Sequence, residues 1–246
     1  MRNFRLMVLA MAAALILAPA ALAQPQGLYF TPKIGYSHLK AKTNADGEVY
    51  VNGSRELYGV SDSNSKGQTV LGLAVGYDFK PVYDVPLRAE FEYAWRGKKE
   101  MFNSALEVDA NVSGNEKFKV GAQSFFVNAY FDIHNSSPVT PYIGAGLGLA
   151  SVSADYQASL SDGTNEGGFG FNKTKTNFAW NIGAGAAWKI SDMISLDLGY
   201  RYADFGKVKA SSSGDFVAGA LEVDFDLNTS TKVSAQEVLL GLRFSF

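Results

Sequence analysis

Leu87-Arg88-Ala89-Glu90-Phe91-Glu92-Tyr93-Ala94-Trp95-Arg96 is the stretch that decides how this chain is read. Its odd positions carry Leu87, Ala89, Phe91, Tyr93 and Trp95, whereas Arg88, Glu90, Glu92 and Arg96 fall on even ones. A period of two marks a strand, because successive side chains point to opposite faces. In a soluble sandwich the apolar face is the core and the charged face meets water. In a small transmembrane barrel the assignment inverts: apolar residues meet lipid and the charges pack inside. One strand fits both readings, so the rest of the chain has to choose.

Eight segments share the pattern, at 28–39, 69–79, 86–96, 119–132, 140–154, 176–189, 193–205 and 231–246. Short turns at 80–85, 133–139 and 190–192 alternate with long polar connections such as 40–68 and 206–230. A transmembrane barrel keeps short turns on its periplasmic side and long loops outside, while a sandwich has no reason to collect its long loops at one end. The sequence therefore predicts an all-β fold, an eight-stranded antiparallel up-and-down transmembrane barrel with four long, mobile extracellular loops.

The face opposite the apolar one mixes glycine with both signs of charge. Gly144, Gly146 and Gly148 alternate with Ile143, Ala145, Leu147 and Leu149; Asp197, Gly199 and Arg201 alternate with Leu196, Leu198, Tyr200 and Tyr202. Glycine lets long side chains approach a narrow lumen closely, and a charge buried there needs a partner. The predicted lumen network is Lys33, Asp78, Arg88, Glu90, Glu92, Arg96, Asp132, Asp197, Arg201, Glu237 and Arg243. Near balance of the two signs points to cross-barrel pairs and a plugged interior, against a small low-conductance pore. Aromatics gather toward strand ends, with Tyr77, Phe79, Phe131, Tyr142, Trp188 and Phe246 at the short-turn end. Tyr36, Trp95, Phe178, Tyr202 and Phe205 stand at the other, the two girdles expected at membrane interfaces.

The chain has 246 residues, a formal net charge of −2 and no cysteine. That balance gives nucleic acid no electrostatic footprint, and the lack of thiols removes disulfides and thiolate metal sites. Arg2 and Arg5 precede an apolar stretch from Leu6 to Leu17, and Ala21-Leu22-Ala23 supplies a small-x-small cleavage site. Residues 1–23 thus read as a signal peptide and residues 24–246 as the barrel domain.

The last strand, Glu237-Val238-Leu239-Leu240-Gly241-Leu242-Arg243-Phe244-Ser245-Phe246, ends on an aromatic. Together with Pro141-Tyr142-Ile143-Gly144-Ala145-Gly146-Leu147-Gly148 and Leu198-Gly199-Tyr200-Arg201-Tyr202-Ala203-Asp204-Phe205-Gly206, it resembles bacterial outer-membrane barrels of the opacity-protein and surface-antigen branch. The resemblance implies residence in the outer membrane beside lipopolysaccharide and assembly by machinery that reads Phe246. It also implies a monomer whose loops meet host surface molecules, with no catalytic motif to carry over.

His134 sits in a short turn, and His38 lies at the outer rim of the first strand with no serine or acid at a recognisable spacing. The glycine run lacks the strand–helix context of a nucleotide site, and Asp109, Glu116, Asp162 and Glu166 lack calcium-loop spacing. The expectation is no enzyme, no cofactor and no metal. Lys98, Lys99, Lys117 and Lys119 make the rim of the second loop basic, suited to lipopolysaccharide phosphates or anionic glycans.

Overall fold

The computed structural model describes residues 26–51, 53–109, 112–161, 166–218 and 221–246. The predicted signal peptide lies outside them. Eight strands run β1 (Leu28–Val51), β2 (Ser54–Asp78), β3 (Leu87–Asp109), β4 (Val112–Asp132), β5 (Val139–Ser161), β6 (Glu166–Lys189), β7 (Ile194–Ala218) and β8 (Leu221–Ser245). Each pairs antiparallel with its sequence neighbours, and β1 closes on β8. The two ends of the ring meet at the short-turn side, where the Phe246 amide donates to the Leu28 carbonyl at 2.9 Å. The first short turn holds one turn of helix, α1 (Lys80–Tyr83), with Pro81 at its start and Asp84 at its end in the left-handed region, φ 55°.

The outward face of the lower wall exposes Ile34, Tyr36, Phe91, Phe125, Val127, Leu147, Phe178, Ile182, Leu198, Tyr200, Val238 and Leu240. An apolar belt of this extent around a closed wall needs lipid, not water, as its neighbour. Among the described residues no helix is long and apolar enough to cross a membrane; the strands do so. Gly146 shows why the inner face uses glycine: a Cβ there would come within 2.6 Å of the Asn181 amide.

The long connections differ from expectation in conformation. Among the described residues they are not irregular loops; the β-ladder continues. β1 and β2 pair without a break from Leu28↔Tyr77 to Val51↔Ser54, so a strand of 24 residues reaches far past the roughly 10 that a bilayer requires. Polar side chains do not prevent this, because ladder hydrogen bonds come from the backbone and the neighbouring strand fixes the register.

Two joints break early. β2 and β3 pair only up to Val70↔Arg96, and β6 and β7 only up to Trp180↔Asp204. At each place the departing strand carries a bulge, between Arg96 and Lys99 on β3 and between Asp204 and Lys207 on β7. Bulges raise local twist and end pairing. Above the membrane the wall therefore splits into two four-stranded blades, β7-β8-β1-β2 and β3-β4-β5-β6.

Candidate functional site: a filled lumen beneath a split crown

Ten of the eleven charged residues expected inside meet there, in two clusters. Near the short turns, Arg88 grips Asp132 in a bidentate pair (Nε to Oδ2 2.7 Å, Nη2 to Oδ1 2.9 Å). Its guanidinium lies 4.8 Å from the centre of the Tyr130 ring and 5.0 Å from that of Tyr142. Arg243 pairs with Asp197, which also accepts the Tyr142 hydroxyl at 2.5 Å. Two cations face two carboxylates.

Higher up, Lys33 Nζ lies 2.5 Å from Glu90 and 2.6 Å from Glu92. Arg201 bridges Glu92 at 2.6 Å and Glu237 at 2.8 Å. Arg96 completes the chain on Glu237, at 2.5 Å, and donates to Ser124 Oγ at 3.0 Å. Three cations face three carboxylates here, so each cluster is neutral by itself. Charges taken out of water persist only when paired and hydrogen-bonded, and alternation on five strands supplies both. A cavity of about 40 Å³ beside Lys33, Tyr130, Asn181 and Arg201 has room for a water or two.

Asp78 does not join. It ends β2 at the short-turn rim, and its carboxylate accepts the amide of Lys80, the first residue of α1, at 2.9 Å. Two of the expected girdle aromatics also face inward: Tyr142 is 7 % and Phe205 0 % exposed. Both have the inward parity of their strands, and each lies against a buried guanidinium, Arg88 and Arg96 respectively.

Above the ions the interior turns apolar. Leu39, Met101, Val120, Phe126, Val152, Phe205 and Val233 pack as one buried cluster, backed by Ala150, Ala179 and Ala203. This second layer was not anticipated from the sequence. Its signal is the inward parity of Leu39, Val120, Val152 and Val233 beyond the lipid belt, in stretches otherwise read as strand ends. Ionic and apolar layers together fill the lumen.

On the crown, half of the expected basic rim of the second long connection is answered by acids: Lys98 meets Asp155 at 2.5 Å and Lys117 meets Glu100 at 3.4 Å, while Lys99 and Lys119 have no ion pair among the described residues. Glu48 receives the Arg55 guanidinium and the Tyr50 hydroxyl, which hold its carboxyl below the usual range. On the same blade as Glu48, Asp204, 2.8 Å from Lys232, holds that ammonium above the usual lysine range. His38 is exposed on the outer face, with Gly67 and Gln236 as its cross-strand neighbours. His134 Nδ1 stands 3.2 Å from the Asp132 carbonyl in its turn. Among the described residues no group of histidines and carboxylates is placed to hold a metal ion; Asp162 lies outside them.

A lipid-belted barrel with a packed interior and a crown of hairpins defines an integral outer-membrane protein that crosses by strands. The chain belongs to the outer membrane protein beta-barrel domain family, whose model matches residues 7–246. It is 35 % identical over 231 residues to the outer membrane protein PagN of Salmonella typhimurium, covering 90 % of each chain. It is 24 % identical to the 25 kDa outer-membrane immunogenic protein of Brucella abortus, over 89 % of this chain and 76 % of that one. Among solved structures, the outer membrane protein OprG of Pseudomonas aeruginosa superposes with a TM-score of 0.52 at 15 % identity, covering 92 % of this chain and 99 % of that one, a likeness of fold.

Proposed function

We propose that the chain is a non-catalytic surface protein whose barrel conducts no solute and whose crown meets molecules outside the cell. The filled lumen carries this reading. Two neutral ionic clusters under an apolar plug leave no water-filled path, and eight strands enclose room only for side chains. What remains is display: four paired hairpins held beyond the membrane. A relative named for its immunogenicity supports exposure of this kind. Residues 1–23 serve as an export leader, Phe246 is the mark read during barrel assembly, and the barrel works as a monomer.

Two measurements test the reading. Reconstituted into planar bilayers, the folded protein is expected to add no discrete conductance steps; steps that vanish with a lumen substitution would overturn the plugged barrel. Bacteria expressing the chain are expected to adhere to host-type cells, with adhesion falling when the hairpin tips are cut back to the level of the lipid belt. Undiminished adhesion after all four are shortened would remove the crown from the role.

A further inference from the structure

Five lysines assemble on one outer face of the crown, although they are scattered through the sequence. Lys40 and Lys42 stand on β1, Lys232 on β8, and Lys207 and Lys209 on β7; all five are exposed. The ladders set Lys42 directly opposite Lys232, and Lys232 directly opposite Lys207. Barrel closure makes the first match. The bulge at Gly206, φ +79°, makes the second. Below it Arg201, Ala203 and Phe205 are buried inward; above it Val208 is buried instead and Lys207 and Lys209 turn out.

Like charges directly opposed across a ladder, about 5 Å apart at Cβ, destabilise it. One acid answers the row, Asp204 against Lys232 at 2.8 Å. Lys40, Lys42, Lys207 and Lys209 have no ion-pair partner among the described residues. Their remaining cross-strand neighbours are hydroxyls: Ser63 faces Lys42, Ser65 and Ser234 face Lys40, and Ser230 faces Lys209. Ammonium groups interleaved with hydroxyl donors suit phosphate oxygens. On the opposite blade Lys98 and Lys117 already have Asp155 and Glu100.

Height names the source of the phosphate. Tyr36, 57 % exposed, is the last lipid-facing residue on β1, and Lys40 follows four residues later. At about 3.3 Å per residue on a tilted strand, that is roughly 10 Å above the hydrocarbon edge. Lysine stems bend back toward such a surface, into the headgroup layer.

We propose that this lysine–serine face binds the phosphate groups of the outer-leaflet glycolipid, so that one blade of the crown is fastened to the membrane surface and the other is not. The inference requires only the membrane placement of the barrel and is independent of any host contact at the tips.

The test uses the folded full barrel in phosphatidylcholine vesicles carrying either diphosphorylated lipid A or its dephosphorylated form, with the urea midpoint of unfolding as readout. The phosphorylated lipid is expected to raise the parent midpoint, and added salt to reduce the gain. The gain is lost in K42Q/K207Q/K232Q and kept in K98Q/K117Q/K119Q. Should the first variant not fold, K40Q/K209Q is expected to diminish the same gain. Equal midpoints for the parent in the two lipids, or an undiminished gain in the variants that fold, would overturn the proposal. So would inorganic phosphate alone reproducing the whole effect in dephosphorylated vesicles, since the site would then hold a free ion. Shortened tips that abolish adhesion while the lipid gain persists would separate this proposal from the display role.

Discussion

The lower wall and the crown are made by the same strands and the same backbone ladder, yet they differ in what each face of the strand meets. In the lower wall, one face meets lipid and the other a packed ionic lumen. β3 writes this contrast into alternate residues: Phe91 is 55 % exposed to lipid while its neighbours Glu90 and Glu92 are 4 % and 1 % exposed. In the crown both faces of many positions meet water, as at Ser61, Asp62 and Ser63. Side chains there need not alternate in polarity, and the ladder rests on backbone pairing inherited from below. The two regions should accordingly tolerate substitution very differently.

The largest effect is expected at Glu237, fully buried between Arg96 and Arg201. Glu237→Gln leaves three cations against two carboxylates in a neutral cluster. Removing one partner of a buried pair costs about 3–5 kcal/mol, read as a lower urea midpoint for the folded, heat-modifiable band in detergent. Arg96→Met combined with Glu237→Leu removes both charges and is expected to recover most of the loss, because Lys33 and Arg201 still balance Glu90 and Glu92. A double variant as unstable as Glu237→Gln would show that hydrogen-bond geometry, not charge balance, holds the lumen.

The contrast also explains what could be read in advance. Strand number, barrel closure and ten lumen charges were legible because period-two alternation reports directly on a wall with two unlike sides. Tyr142 and Phe205 were misplaced because their position at a strand end outweighed their parity, which already pointed inward. Asp78 had inward parity as well, yet sits at a rim where a turn amide takes its carboxylate. The crown was illegible for another reason. Stretches such as Ser61-Asp62-Ser63-Asn64-Ser65-Lys66 have loop composition, and their strand conformation comes from a neighbour already in register. The lysine row needed more still: the residue register of the β1–β8 seam and a one-residue bulge, neither of which a single sequence announces.

That bulge marks the boundary between the two regions and gives the intermediate effect. Gly206 occupies the left-handed region, and a Cβ there would meet the Asn177 Cβ at 2.7 Å and the Phe178 carbonyl at 3.2 Å. The Asp204 carboxylate accepts the Gly206 amide at 2.9 Å and fixes the turn. A non-glycine residue held at positive φ costs about 1–3 kcal/mol, so Gly206→Ala should lower the midpoint by less than Glu237→Gln. The same substitution is expected to diminish the glycolipid-dependent gain, since Lys207 and Lys209 face outward only through this bulge. Retention of the full gain would mean that the outward turn has another cause.

The smallest effect belongs to the crown's own ion pair. Arg55 and Tyr50 depress the Glu48 pKa, so any stability they lend is present at neutral pH and lost as acid titrates the carboxylate. Each of these side chains is in contact with water, however, where ion pairing is offset by side-chain entropy and screened by salt. Glu48→Gln is expected to leave the unfolding midpoint unmoved at pH 7, and its acid profile should superimpose on the parent's. A measurable drop confined to neutral pH would mean that the tip of the β1–β2 hairpin is coupled to the wall beneath it. The crown would then be a load on the barrel rather than a passenger, and the division between the two regions would have to be drawn higher.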